Sequence, residues 1–206
     1  MPAPRPRRIV LKIGGSLLDL PDLGERIEAW LESVAAQGPV HAALLAGGGE
    51  LVEVVRRWHR HGLVGETKAH HLAMQALDVT ALRLTQLLPR TRLARRPKEV
   101  FDAWGGNERA VIQPRAWFEH SPGWFTGPPR LPRGLLPESW AVTSDTLAAC
   151  VAIELDADEL LLAKSIPAPT PLDWRLLAER GDVDACFADV APAVRSIAWH
   201  NLRSSS

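Results

Sequence analysis

The 206-residue sequence has only two cysteines, only four lysines and no excess of either charge, and each scarcity narrows what the chain can be. Cys150 and Cys186 sit in apolar stretches and read as small buried hydrophobes in a reducing compartment. Neither has a His or Cys partner at ligand spacing, and the seven histidines form no HxxxH or CxxC grouping, so no metal ligands are expected. The 24 basic residues are matched by 24 acidic ones, which removes any global electrostatic case for nucleic acid or an anionic membrane. No apolar run approaches the roughly 20 residues a bilayer span needs. The basic stretch Met1 to Arg8 leads straight into a strand, without the apolar segment of a secretory signal, so a cytoplasmic location is expected. With no internal repeat and no linker, residues 1–206 read as a single domain.

What is there begins with those four lysines. Against 20 arginines, Lys12, Lys68, Lys98 and Lys164 are exceptions, and Lys12 and Lys164 both follow apolar strand-like runs. A lysine kept where arginine is the habit suits a site needing a compact point charge rather than a planar fork. The first strand, Arg8 to Ile13, ends at Gly14-Gly15. A helix is predicted over 22–37, with Asp22 and Glu25 at capping-box spacing. Val40 to Ala46 is a second strand, stopped by Gly47-Gly48-Gly49, and helices follow over 50–60 and 67–88. This alternation of strand, glycine turn and helix predicts an α/β fold around a largely parallel sheet, with both glycine turns at its carboxyl edge. Short strands are expected over 91–95 and 110–113 around a helix over 99–104. The Pro- and Gly-rich stretch 119–137 reads as a long loop. Beyond it come a helix over 144–155, a strand over 159–163, helices over 173–180 and 183–190, and a last strand over 196–199.

Three constellations carry chemistry. Lys12-Ile13-Gly14-Gly15-Ser16 places a cation and close-approaching backbone amides at a strand end, which is what a transferring phosphoryl group needs. It is neither a Walker loop nor GxGxxG, and alone it also fits an ordinary strand-to-loop turn. Gly47, Gly48 and Gly49 expose amides at the start of a helix, a ready anion site or a flexible turn. Thr143, Ser144 and Asp145 open an apolar helix, either as plain N-caps or as contacts for a phosphorylated substrate, with Asp145 orienting a lysine.

Taken together and in this order, the three motifs resemble the amino-acid-kinase superfamily, which includes aspartate, acetylglutamate, uridylate and isopentenyl phosphate kinases. The resemblance implies a three-layer αβα sandwich and transfer of the γ-phosphoryl of ATP, with Mg2+ held through the phosphates. It casts Lys12 as stabilising the transferring phosphoryl, Gly14, Gly15 and Ser16 as its amide cradle, Gly47 to Gly49 as the acceptor's, and Asp145 as orienting the catalytic lysine. It also implies a small phosphorylated substrate and a homo-oligomer.

Within the superfamily, Ala46 stands where acetylglutamate kinases carry His. Glu50-Leu51-Val52-Glu53-Val54 lacks the Arg of uridylate kinases and the GGGSFGH-type run of isopentenyl phosphate kinases. The segments 69–74 with Asp78, 139–145 and 183–187 are most similar to the kinase that phosphorylates aminomethylfuran phosphate in methanofuran assembly, and to its bacterial relatives. That likeness implies acceptor contacts from His71, Trp140, Thr143 and Ser144, and an ammonium partner in Asp78. His71, Gln75 and Asp78 share a helix face that also fits a solvated stripe. The superfamily's DVDG-like turn and second-lysine segment are missing. Lys164-Ser165 follows the strand directly, so the nucleotide half is shortened and Lys164, with Ser165, is expected to supply the missing charge and contact. Alternatives are a non-catalytic nucleotide- or anion-binding member, or a kinase for another phosphomonoester.

Overall fold

The computed structural model describes residues 5–127 and 134–204. Six strands form one sheet: β1 (Arg7–Ile13), β2 (Val40–Ala46), β3 (Thr91–Ala94), β4 (Arg109–Ile112), β5 (Glu159–Lys164) and β6 (Ile197–Asn201). They lie in the order β3-β4-β2-β1-β5-β6 and every neighbouring pair is parallel. The central strands are apolar on both faces because helices cover both, as buried parallel sheets require.

Alternation along the strands sorts side chains into two cores. Ile9, Leu11 and Ile13 of β1 join Leu161 and Ala163 of β5 on one face, against α1 (Leu23–Ala35). Val10, Leu160 and Leu162 lie on the other, against α6 (Ser144–Glu154). Lys12 and Lys164 share the parity of that second set, so both strands aim their lysines at the α6 side. Residues 144–152 are buried all round, which explains why this helix has no amphipathic stripe to read.

The remaining helices are α2 (Gly49–Arg60), α3 (Glu66–Leu87), α4 (Pro97–Gly105), α5 (Pro114–His120), α7 (Trp174–Glu179) and α8 (Phe187–Val190). Four expectations are corrected. Asp22 precedes α1 without capping it; its carboxylate takes the Arg26 Nε–H at 2.9 Å. The stretch 119–137 contains the end of α5 and a 3-10 turn at Pro122–Trp124, with residues 128–133 of that predicted loop lying outside the described residues. Helix α4 starts at Pro97, where proline's missing N–H costs nothing. The helix expected over 183–190 shortens to α8, because Asp184 turns its carboxylate toward the start of α6 and the Cys186 amide donates to the Ala141 carbonyl at 2.9 Å.

Among the described residues, no helix is long and apolar enough to cross a membrane.

Candidate active site

Register explains how the chemistry converges. Lys12 lies beside Leu162 across the β1–β5 ladder, so Lys164 sits two residues further toward the carboxyl edge on the adjacent strand. Helix α6 points its N-terminus at this edge, and Asp145, in its first turn, drops between the two cations. Lys12 Nζ stands 2.8 Å from Asp145 Oδ1 as an ion pair whose geometry falls short of an aligned hydrogen bond. Lys164 Nζ donates to Asp145 Oδ2 at 2.8 Å and to the Asp182 carbonyl at 2.8 Å. It also lies 5.2 Å from the centre of the Trp199 ring. Lys12, Asp145 and Lys164 are 3%, 5% and 8% exposed, so three charges meet almost without water.

Two cations around one anion leave this buried centre with a local surplus of positive charge. Burial works against the Asp145 carboxylate, but the charges of Lys12 and Lys164 prevail and hold its pKa below the ordinary value. Lys164 moves the other way: burial, then the Lys12 charge, outweigh Asp145 and bring it down to about 8. Both oxygens of Asp145 face ammonium groups, whose positive charge opposes a metal ion there. Among the described residues no group of three or more His, Cys, Asp or Glu is placed to hold one.

The lysines open onto a cleft of about 1130 Å³. One wall comes from the glycine turns, which pack directly on each other. A Cβ on Gly15 would stand 2.6 Å from the Gly49 nitrogen, and one on Gly47 would stand 2.5 Å from the Gly15 nitrogen. Gly49 also has φ +53°, a left-handed conformation that favours glycine. The amides divide between structure and site. Gly14 N–H donates to Ala163 O at 2.8 Å and Gly47 N–H to Ile13 O at 2.7 Å, so neither is available to a ligand. The cradle expected of Gly14 and Gly47 is therefore corrected to a seam holding the turns to the sheet. Gly15, Ser16, Gly48 and Gly49 line the cleft, and the first amides of α2 and of the 3-10 turn Gly15–Leu17 have no intrahelical acceptor. Ser16 and Ser165 meet across the cleft mouth with their Oγ atoms 2.8 Å apart.

The second wall is α2, α3 and residues 140–145, with Trp140, Thr143, Ser144 and Asp145 all on the cleft. Two expected acceptor residues are elsewhere. His71 is exposed and its Nε2 lies 3.0 Å from Glu138. Asp78 accepts the Arg115 amide at 3.0 Å and so caps α5. Neither borders the cleft, because the buried stripe of α3 runs through His70, Met74, Leu77 and Thr80. His70, one residue from the predicted position, is on the cleft. Its Nδ1–H donates to the Ser139 carbonyl at 3.1 Å, and burial lowers its pKa, keeping it neutral at pH 7.

Sequence reasoning missed two other contributors. Arg56 of α2 borders the cleft with its guanidinium 4.7 Å above the Trp140 ring; its position two turns into the glycine-started helix was the available signal. Asp184, 9% exposed, gathers the start of α6. Its Oδ2 accepts Thr143 N–H at 3.1 Å, Thr143 Oγ1–H at 2.8 Å and Thr146 N–H at 3.0 Å, and its Oδ1 accepts from Thr146 Oγ1. Its marks in the sequence were an acid inside the apolar run Val183 to Phe187 and that run's part in the family resemblance, neither of which gave it a role.

A parallel sheet flanked by helices, with a buried Lys-Asp-Lys centre beside glycine turns at its carboxyl edge, defines an α/β protein with a positively charged cleft where such sheets place their ligands. No protein-family model matches the sequence, and no curated protein matches it. Solved structures do. Uridylate kinase from Archaeoglobus fulgidus superposes with TM-score 0.60 at 17% identity, over 94% of this chain and 91% of that one. UMP kinase from Ureaplasma parvum gives 0.66 at 14%, over 97% and 92%. UMP kinase from Bacillus anthracis gives 0.61 at 16%, over 98% and 90%. The chain has the fold of these UMP kinases, which are members of the amino-acid-kinase superfamily.

Proposed function

We propose that the protein is an ATP- and Mg2+-dependent phosphotransferase acting on a small phosphorylated acceptor, aminomethylfuran phosphate or a close analogue. The observation that carries the reading is the buried Lys12–Asp145–Lys164 set opening onto a cleft with free amides on one wall. Phosphoryl transfer asks a protein for positioning and for positive charge where negative charge spreads, and this set supplies both. Lys12 and Lys164 would stabilise the three equatorial oxygens while Asp145 keeps the two ammonium groups apart and aimed. The bond from the γ-phosphorus to the bridging oxygen breaks as a bond from an acceptor phosphate oxygen forms, and ADP leaves.

The residues fit the nucleotide on two counts. Gly15, Ser16 and Lys164 can meet phosphates, and the cleft lining also includes Ile166, Ala178, Val183 and Ala185, apolar surface that a nucleoside could lie against beside Asp182 and Asp184. Mg2+ would arrive held by the phosphates, since Asp145 is already engaged. On the acceptor side, Arg56, Trp140 and the start of α2 offer a cation, a flat ring and free amides to a cyclic phosphomonoester. A homo-oligomer in the cytoplasm belongs to the same proposal.

Purified protein given ATP, Mg2+ and aminomethylfuran phosphate is expected to release ADP and form a diphosphate product, detected by phosphorus NMR. No turnover on this or any other phosphomonoester would sink the reading. One feature favours a second possibility, binding without transfer: β5 runs directly into Ser165 and Ile166 with no acidic glycine turn behind it. Nucleotide binding by calorimetry with no ADP release on any acceptor would select it.

A further inference from the structure

Asp184 has no part in the transfer just described, yet it is the most heavily hydrogen-bonded side chain at the centre. Thr143 occupies the N-cap position of α6, but its hydroxyl makes no cap bond; it donates to Asp184. The amide of Thr146, which an N-cap side chain would ordinarily satisfy, and the amide of Thr143 itself converge on the same carboxylate. The helix that carries Asp145 is thus capped from outside, by a residue 39 positions later in the chain. Burial and then the Asp145 charge push the Asp184 pKa above the ordinary carboxylate value. The four donors, two of them amides that can only donate and fall on one oxygen, work against that rise in favour of the ionised form.

We infer that Asp184 is a positioning residue for phosphoryl transfer: it acts through Thr143 and Thr146 to set the start of α6, and hence Asp145 between Lys12 and Lys164. The inference rests on the phosphotransferase reading for its kinetic part, and on the four hydrogen bonds that Asp184 accepts at the start of α6 for its positioning part. Lys164 is faced by Lys12 from β1, Asp145 from α6, the Trp199 ring from β6, and the Asp182 carbonyl and Asp184 from the segment between α7 and α8. Asp184 is thus a second anion supporting the charge of Lys164. It supplies from a distant segment an acid near the lysine, on a strand that lacks an acidic turn of its own.

The test uses the scarcity of lysine. With four lysines in the chain, of which Lys68 and Lys98 are exposed, protein labelled with 13C at lysine Cε gives resolvable titration curves without substrate. Asp184→Asn keeps the shape and the acceptor oxygen but removes the charge. It is expected to lower the Lys164 midpoint by about half a unit or more. In turnover assays it is expected to reduce kcat about tenfold, leave the KM for ATP within about twofold, and move the alkaline limb of the kcat profile down with the midpoint. An unmoved Lys164 titration overturns the inference whether or not the protein turns over, which separates its failure from that of the kinase reading. A uniform loss of kcat at every pH, with the limb in place, assigns Asp184 to folding alone and also overturns it. Thr146→Val keeps the volume and removes one donor. It is expected to reduce kcat about threefold, and kcat and Lys164 titration both matching the parent protein would contradict the proposal.

Discussion

The two ends of the cleft are built differently. On one side, two strand–glycine–helix units place their turns against each other, and the long helices α2 and α3, of 12 and 22 residues, make the wall. On the other side, between β5 and β6, the chain has only α7, of six residues, α8, of four, and a 3-10 turn. The first half is held by backbone hydrogen bonds to the sheet, and its glycines allow contact closer than any side chain would. The second relies on single polar side chains reaching across the fold: Asp184 to α6, and Lys164 to Asp145 and to the Asp182 carbonyl. A site made this way concentrates its vulnerability in few residues on one side and spreads it over packing on the other.

The largest effect is expected at the point where the halves meet. Lys12→Ala removes a buried cation from the developing charge and should lower kcat about a thousandfold, with nucleotide affinity by calorimetry changed far less. Equal loss in binding and rate would place Lys12 in ground-state binding instead. Asp145→Ala leaves two buried ammonium groups facing each other, and thermal or urea unfolding should show a loss of about 3–5 kcal/mol. A near-neutral change would mean the centre is wetter than its burial indicates. Gly15→Ala puts a Cβ 2.6 Å from the Gly49 nitrogen, and forcing the two turns apart should cost about 2–3 kcal/mol. The same substitution at Gly181, where no atom lies within 4 Å, meets no such clash; its φ of +77° makes backbone strain its only cost.

Stability against pH separates the halves again. Lys164 is lowered from 10.5 to about 8 in the folded protein, so between those values the unfolded chain binds more protons and stability rises with pH. That contribution should vanish in Lys164→Met, whose unfolding curves between pH 8 and 10.5 should lose the upward component seen in the parent protein. Asp145, held below 3.8, contributes stability that is present above that value and lost as pH falls through its folded pKa. The smallest effect is at Asp78. Its replacement by Ala should remove the α5 cap at about 1 kcal/mol, and a rise in the acceptor KM would return it to the binding site.

The same contrast explains what could be read without coordinates. Lys12, the glycine turns and Asp145 stand at the ends of regular elements, so each could be placed on its strand or helix start from the sequence, and the resemblance carried by their order joined them into one site. Residues whose role depends on long-range partners were opaque. Gly14 and Gly47 look like ligand amides until the sheet supplies their carbonyl acceptors. His71 and His70 differ by one position on α3, and only the helix's rotation decides which of them faces the cleft. Asp184 hid in an apolar run that reads as a helix, because nothing local reveals a carboxylate satisfied 38 residues back, at Thr146.

The most direct test of the central claim follows the phosphoryl group itself. Protein incubated with γ-labelled ATP, Mg2+ and aminomethylfuran phosphate should place the label on the acceptor, and both Lys12→Ala and Lys164→Met should abolish that transfer while the labelled nucleotide still binds. Label reaching the product at the parent rate in either variant would contradict a phosphoryl-transfer centre built on these two lysines.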